Sequence, residues 1–134
     1  MQRTRRRPIL TAAASMSMLL IATGCTAGSD QASFELWGDD VRPELTRTPG
    51  ASAVSGREGK AVQFVLDAGG SYSMGAACRN ADSVVLEVSS GWQVVADVEV
   101  SCGERAFAEV DLLPGADVYV TASNEADWYA VFND

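Results

Sequence analysis

The chain has 134 residues, with ten Lys or Arg against eighteen Asp or Glu and no histidine, a formal charge of −8. That balance excludes nucleic-acid binding, which needs basic groups to neutralise phosphate, and disfavours adsorption to anionic lipid headgroups. The missing histidine removes the commonest general base and the commonest metal ligand.

The first element reads as an export signal. Arg3, Arg5, Arg6 and Arg7 open the chain, residues 9–22 form an apolar run of mostly small residues, and Thr23-Gly24-Cys25 closes it. A charged start, an apolar middle and a small-residue end are the three parts of such a signal. The run is shorter than the about 20 apolar residues of a membrane span, and Thr11, Ser15 and Ser17 dilute it. The stretch resembles a bacterial lipoprotein signal, in which the cysteine after the small residues receives diacylglycerol and becomes the first residue of the mature protein. Thr23 and Gly24 fit the positions before that cysteine, whereas Ala22 stands where the signal usually has Leu. The resemblance implies a lipid on Cys25 and a place on the extracytoplasmic face of the cell membrane. Two acyl chains make a stable anchor where one binds only marginally. An ordinary signal peptide cut nearby and an uncleaved weak anchor are the alternatives. Arg6-Arg7-Pro8 also resembles a twin-arginine signal in part, although general secretion is the default.

Removal of residues 1–24 leaves 110 residues, all eighteen acidic groups and six of the ten basic ones, a charge of −12. That length suits one domain. Residues 26–33 are small and polar and read as a flexible tether. Phe34-Glu35-Leu36-Trp37 alternates and is expected to be an early strand, broken by Gly38-Asp39-Asp40. Residues 42–59 carry Pro43, Pro49, Gly50, Gly56 and Gly59 among charges, which is loop chemistry. The expected division is a signal at 1–24, a lipidated, tethered and loop-rich segment at 25–59, and a β-domain at 60–134.

From residue 61 onward the rhythm is period two. Val62, Phe64 and Leu66 share a face. So do Tyr72, Met74, Ala76 and Cys78, and then Val84, Leu86 and Val88. Trp92, Val94, Ala96, Val98, Val100 and Cys102 run in one phase, which assigns Trp92 to the core. Ala106, Ala108, Val110 and Leu112 follow, then Val118 and Val120, and residues 128–132 close the chain. Turn residues separate each pair of runs. The expectation is all-β: a small antiparallel β-sandwich of about seven strands, jelly-roll or immunoglobulin-like. Cys78 and Cys102 are the only cysteines after Cys25. In an exported protein they are expected to form one disulfide on the apolar faces of their strands, joining neighbouring strands or the two sheets. The loop of about 25 residues makes it worth roughly 3–4 kcal/mol. A reactive thiol pair is the rival, but C-x-x-C spacing is absent.

YSMGAAC at 72–78, VVLEV at 84–88, SCG at 101–103, LLPG at 112–115 before VYV at 118–120, and WYA at 128–130 together resemble a group of small lipoproteins of high-GC Gram-positive bacteria. Their common features are a Cys…Cys sandwich, a Leu-Pro-Gly-type turn and a terminal Trp-x-Ala strand. The resemblance covers roughly residues 60–132, and it implies no activity and no functional residue.

Three chemistries compete with a purely structural reading. Asp39 and Asp40 with Glu44, or Asn124 and Glu125 with Asp127, offer oxygens of the kind calcium takes, but no EF-hand pattern is present. The expectation is no metal and no cofactor, with acidic loops that face water. Paired carboxylates are abundant enough for glycosidic hydrolysis, yet no motif selects a pair, and no catalytic residue is assigned. Aromatic side chains stack on sugar rings, and Tyr119 and Tyr129 are the candidate ligand-binding residues, as an outward pair across a terminal hairpin. The structural alternative for that pair is cross-strand stabilisation of about 0.2–1 kcal/mol. The sequence therefore points to a membrane-anchored envelope lipoprotein, a non-catalytic binding module whose partner is an envelope protein or a glycan. A carbohydrate-binding module is the alternative reading, and a hydrolase the third.

Overall fold

The computed structural model describes residues 20–134 except residue 67, with side chains from residue 30 onward. One helix, α1 (Leu20–Leu45), precedes eight strands: β1 (Ser52–Gly56), β2 (Val62–Val65), β3 (Gly70–Arg79), β4 (Ser83–Ser90), β5 (Gln93–Ser101), β6 (Ala106–Leu112), β7 (Asp117–Ala122) and β8 (Asp127–Asn133). They form two four-stranded antiparallel sheets, ordered β1-β8-β3-β6 and β2-β7-β4-β5. Each strand pairs with its mirror in the chain: β1 with β8, β2 with β7, β3 with β6 and β4 with β5. This is one long hairpin rolled over on itself, the jelly-roll arrangement. The turn between β4 and β5 is the tip of that hairpin.

The seven expected strands are all present, and their phasing builds the core. Met74, Ala76, Val84, Leu86, Val88, Val100, Val110, Val118 and Val120 are buried between the sheets. Trp128 and Phe132 join them, and Phe132 meets Phe64 with ring centroids 5.2 Å apart. Cys78 of β3 is bonded to Cys102, just beyond β5, so the disulfide ties one sheet to the other.

The segment before residue 60 differs from expectation. Residues 26–33 continue α1 rather than forming a flexible tether, and 34–37 is helical rather than a strand. The physical reason is a stripe the polar composition hides. Phe34, Trp37, Val41 and Leu45 are spaced three, four and four apart, the interval of one helix face. Val41 and Leu45 are buried against Ala77 and Val131, with Trp37 and Tyr129 at the margin. The helix thus forms a third layer on the outer face of the β1-β8-β3-β6 sheet. β8 is consequently buried on both faces, which accounts for its unbroken apolar run at 128–132. Two glycines make room. A Cβ on Gly75 would stand 2.9 Å from the Leu45 carbonyl oxygen, and one on Gly38 would stand 3.1 Å from the Tyr129 ring. β1 lies within the expected loop and completes the first sheet by pairing with β8.

The layers define two poles. Ser33 meets Arg79 at the end of β3, whereas Leu45 meets Asn133, which also bonds Ser73 near the start of β3. The helix therefore runs antiparallel to β3 and reaches the sandwich at the Arg79 pole. The opposite pole holds the β4–β5 turn and the β6–β7 loop. These are joined by Gly91 N–H to the Asp117 carbonyl at 2.9 Å and by Leu113 N–H to Ser90 Oγ at 2.8 Å.

Candidate functional site

At the Arg79 pole a polar cleft of about 330 Å³ lies between α1, the loop that follows β1, the end of β3 and the start of β8. Its centre is Asp127, only 3% exposed. Asp127 Oδ2 accepts from Arg79 Nε at 3.1 Å and Asn80 Nδ2 at 2.9 Å, and Oδ1 accepts from the Glu58 N–H at 2.9 Å. Every oxygen of this carboxylate is therefore occupied by a donor of the fold. The Arg79 guanidinium carbon stands 5.2 Å from the Trp37 ring centroid and 5.9 Å from that of Phe34, a cation–π arrangement that fastens the helix to this pole. Arg57 donates to Gln31 at 3.0 Å and lies 4.0 Å from Asp30. The cleft is a set of internal bonds that hold helix to sandwich.

The acidic candidates for calcium do not converge. Asn124 donates to the Ser83 carbonyl at 2.7 Å and accepts from the Ala126 N–H at 3.0 Å, while Glu125 is exposed. Asp127 faces Arg79, as described. Asp39 and Asp40 are exposed on the helix, and Glu44 pairs with Arg105. Among the described residues no group of three acidic, Cys or His side chains is placed to hold a metal ion.

Tyr119 and Tyr129 are not neighbours. Because the chain changes sheets between β7 and β8, residues 123–126 are a crossover and not a hairpin turn. Each ring points outward from its own sheet, on opposite sides of the sandwich. Tyr129 lies under α1, edge-on to Trp37 with centroids 6.4 Å apart. Tyr119 is open to solvent at 37%. The expected aromatic pair is thus corrected to one exposed tyrosine and one covered by the helix.

A second aromatic takes the vacated role. Trp92, expected in the core, is fully exposed. The cause is a register shift in the β4–β5 pair: Val88 lies opposite Ala96, but Ser89 lies opposite Val94, leaving Val95 as an extra residue. Such a bulge reverses the side-chain phase beyond it. Val95 packs toward the core and Val94 is 51% exposed. Trp92 is left in the turn itself, after Gly91 with its φ of +64°. A single sequence carries no mark for the bulge. The adjacent Ser89-Ser90-Gly91 turn is the signal that places Trp92 at a tip.

Trp92 and Tyr119 line one cleft of about 290 Å³, together with Gly91, Gly115, Ala116 and Asp117. Tyr119 stands opposite Gln63 on one side and Ser89 on the other, and Ser89 in turn opposite Val94. The β2-β7-β4-β5 sheet contains Glu87, Asp97, Glu99 and Asp117 and no Lys or Arg. This is an open shelf with two exposed rings, polar neighbours and negative charge. No protein-family model matches this chain, and no curated protein matches it.

Proposed function

We propose that the protein is an exported, lipid-anchored binding module of the bacterial cell envelope, without catalytic activity. The observation that carries this reading is the opposition of its two poles. The stretch of α1 beyond Cys25 meets the sandwich at the Arg79 pole, and the exposed Trp92 lies at the other. An anchor at the first pole would leave the aromatic shelf facing away from the membrane. The arginine start, apolar run and Thr23-Gly24-Cys25 ending support the lipid on Cys25, although residues 1–19 and the Cys25 side chain lie outside the described residues. The Cys78–Cys102 bond fits an oxidising compartment. The resemblance of residues 60–132 to small lipoproteins of high-GC Gram-positive bacteria points the same way. Among the described residues the most buried carboxylate, that of Asp127, is fully bonded within the fold, which argues for a structural rather than an acid–base role.

Metabolic labelling with an alkyne fatty acid tests the anchor. The expected outcome is label on the native protein and none on Cys25→Ser, with the variant released from the membrane fraction. Label that persists on Cys25→Ser overturns the assignment of the acceptor.

A further inference from the structure

The geometry points to the Trp92–Tyr119 cleft as a subsite for a neutral pyranose ring of a glycan, an inference that rests on reading the chain as a binding module. Five features combine. A fully exposed Trp92 contributes nothing to the core, so its ring is available to a ligand. An aromatic face suits a surface that is apolar on one side and wet at its rim, and a sugar ring has that character, with C–H groups on its faces and hydroxyls around its edge.

The cleft has the matching size and polarity. Its volume of about 290 Å³ is at the small end of ligand sites, enough for one or two rings. Gly91 and Gly115 line it without side chains, so the shelf stays open for a chain of sugars to pass across. Asp117 lines the same cleft and brings a carboxylate able to accept from hydroxyls, while its backbone carbonyl is held by Gly91 and so fixes the turn that carries Trp92.

Charge decides the class of ligand. With four acidic residues and no basic one on the strands of this sheet, a phosphate, a uronic acid or an anionic headgroup meets repulsion and no counter-charge. The shelf is also too open to enclose a lipid tail. A neutral ring satisfies both the stacking surface and the hydroxyl acceptor without bringing a charge.

Binding of the full chain, kept in detergent, to cello-, manno- and galacto-oligosaccharides by calorimetry tests the proposal, with phosphatidylglycerol vesicles and sedimentation as parallel arms. At least one oligosaccharide binds at millimolar concentration or better and shifts the fluorescence of Trp92. Trp92→Ala weakens that binding about tenfold or more, Trp92→Tyr restores part of it, and both variants melt with the native protein. Tyr119→Ala weakens it as well. Binding unaffected by Trp92→Ala overturns the proposal, as does the absence of binding to all three glycans. Trp92-dependent capture of vesicles, or Trp92-dependent self-association without sugar binding, overturns the glycan while leaving a binding module. Failure of the label on Cys25 overturns the anchor and leaves the glycan result standing.

Discussion

The side-chain amide of Asn133 donates to the carbonyl of Leu45 at 3.0 Å, so a residue of the last strand terminates the helix. The same amide donates to the Ser73 carbonyl at 3.0 Å, and its oxygen accepts from the N–H groups of Arg47 at 2.7 Å and Thr48 at 3.2 Å. Both donors and both lone pairs are used, in a residue only 2% exposed. Helix α1, β3 and β8 therefore meet at one side chain.

Asn133→Leu removes that junction and takes one partner from two backbone carbonyls and two N–H groups. The expected cost is about 2–4 kcal/mol, read as a lower urea midpoint. Amides of residues 37–45 should exchange faster while those of β4 and β5 keep their protection, because the helix loosens from a sandwich that stays closed. Equal loss of protection in β4 and β5 would show that the helix is part of the same cooperative unit.

Asp127→Ala strands three donors at once: Arg79 Nε, Asn80 Nδ2 and the Glu58 N–H. The Arg79 side chain keeps 25% exposure, so water takes up part of the loss and the cost falls below that of a fully buried pair, at about 2–3 kcal/mol. Glu58 and Asn80 both hold positive φ, 56° and 65°, in loops organised by this carboxylate. Added calcium should not restore the native midpoint of any variant here. Calcium-dependent recovery would return the acidic loop to the list of cation sites.

Gly56→Ala should be among the most damaging single changes. A Cβ there would stand 2.2 Å from Trp128 Nε1 and 2.4 Å from the Lys60 carbonyl oxygen, and these two atoms are themselves hydrogen-bonded at 3.0 Å. The indole is fully buried and cannot swing aside without opening the core. A loss of about 3 kcal/mol or more is expected from overpacking plus a broken buried bond. Gly50→Ala, with open space around its Cβ but a φ of +74°, should cost only about 1 kcal/mol.

Much of this architecture is legible in the chain, and the parts that are not have separate physical causes. The strands from β2 to β7 follow from period-two alternation, because each has one face in the core, whereas β8, buried on both faces, shows as an unbroken apolar run. Their wrapping into a rolled hairpin is not written in any local pattern. For that reason Tyr119 and Tyr129, close in sequence, are expected together although they belong to different sheets. Trp92 is misplaced by a one-residue bulge at Val95, an irregularity that leaves composition and alternation nearly unchanged. The helix carries a readable stripe in Phe34, Trp37, Val41 and Leu45, masked by Gly38, Pro43 and the acidic residues between. The Asp127 cluster has no sequence signal, since Glu58 lies in the loop after β1, Arg79 and Asn80 at the end of β3 and just beyond it, and Asp127 at the start of β8.

The disulfide offers a measure of how much the sandwich depends on a covalent staple. Cys78 and Cys102 are separated by 24 positions and join the two sheets. Their loop encloses the whole of β4 and β5, which share eight residue pairs across one bulge, the longest single strand pairing of the sandwich. Replacing both cysteines by Ala leaves every backbone pairing intact, so the native strand content should persist in circular dichroism at low temperature. Stability should fall by about 3–4 kcal/mol through the larger freedom of the unfolded chain, a large share of the 5–15 kcal/mol typical of a domain. The urea m-value should rise, because an uncrosslinked unfolded state exposes more surface. Cys78→Ala and Cys102→Ala alone should each cost nearly as much as the double variant, since either one removes the whole bridge. Two single costs that sum to the double would mean that the sulfurs contribute as separate core atoms and that the crosslink itself adds little.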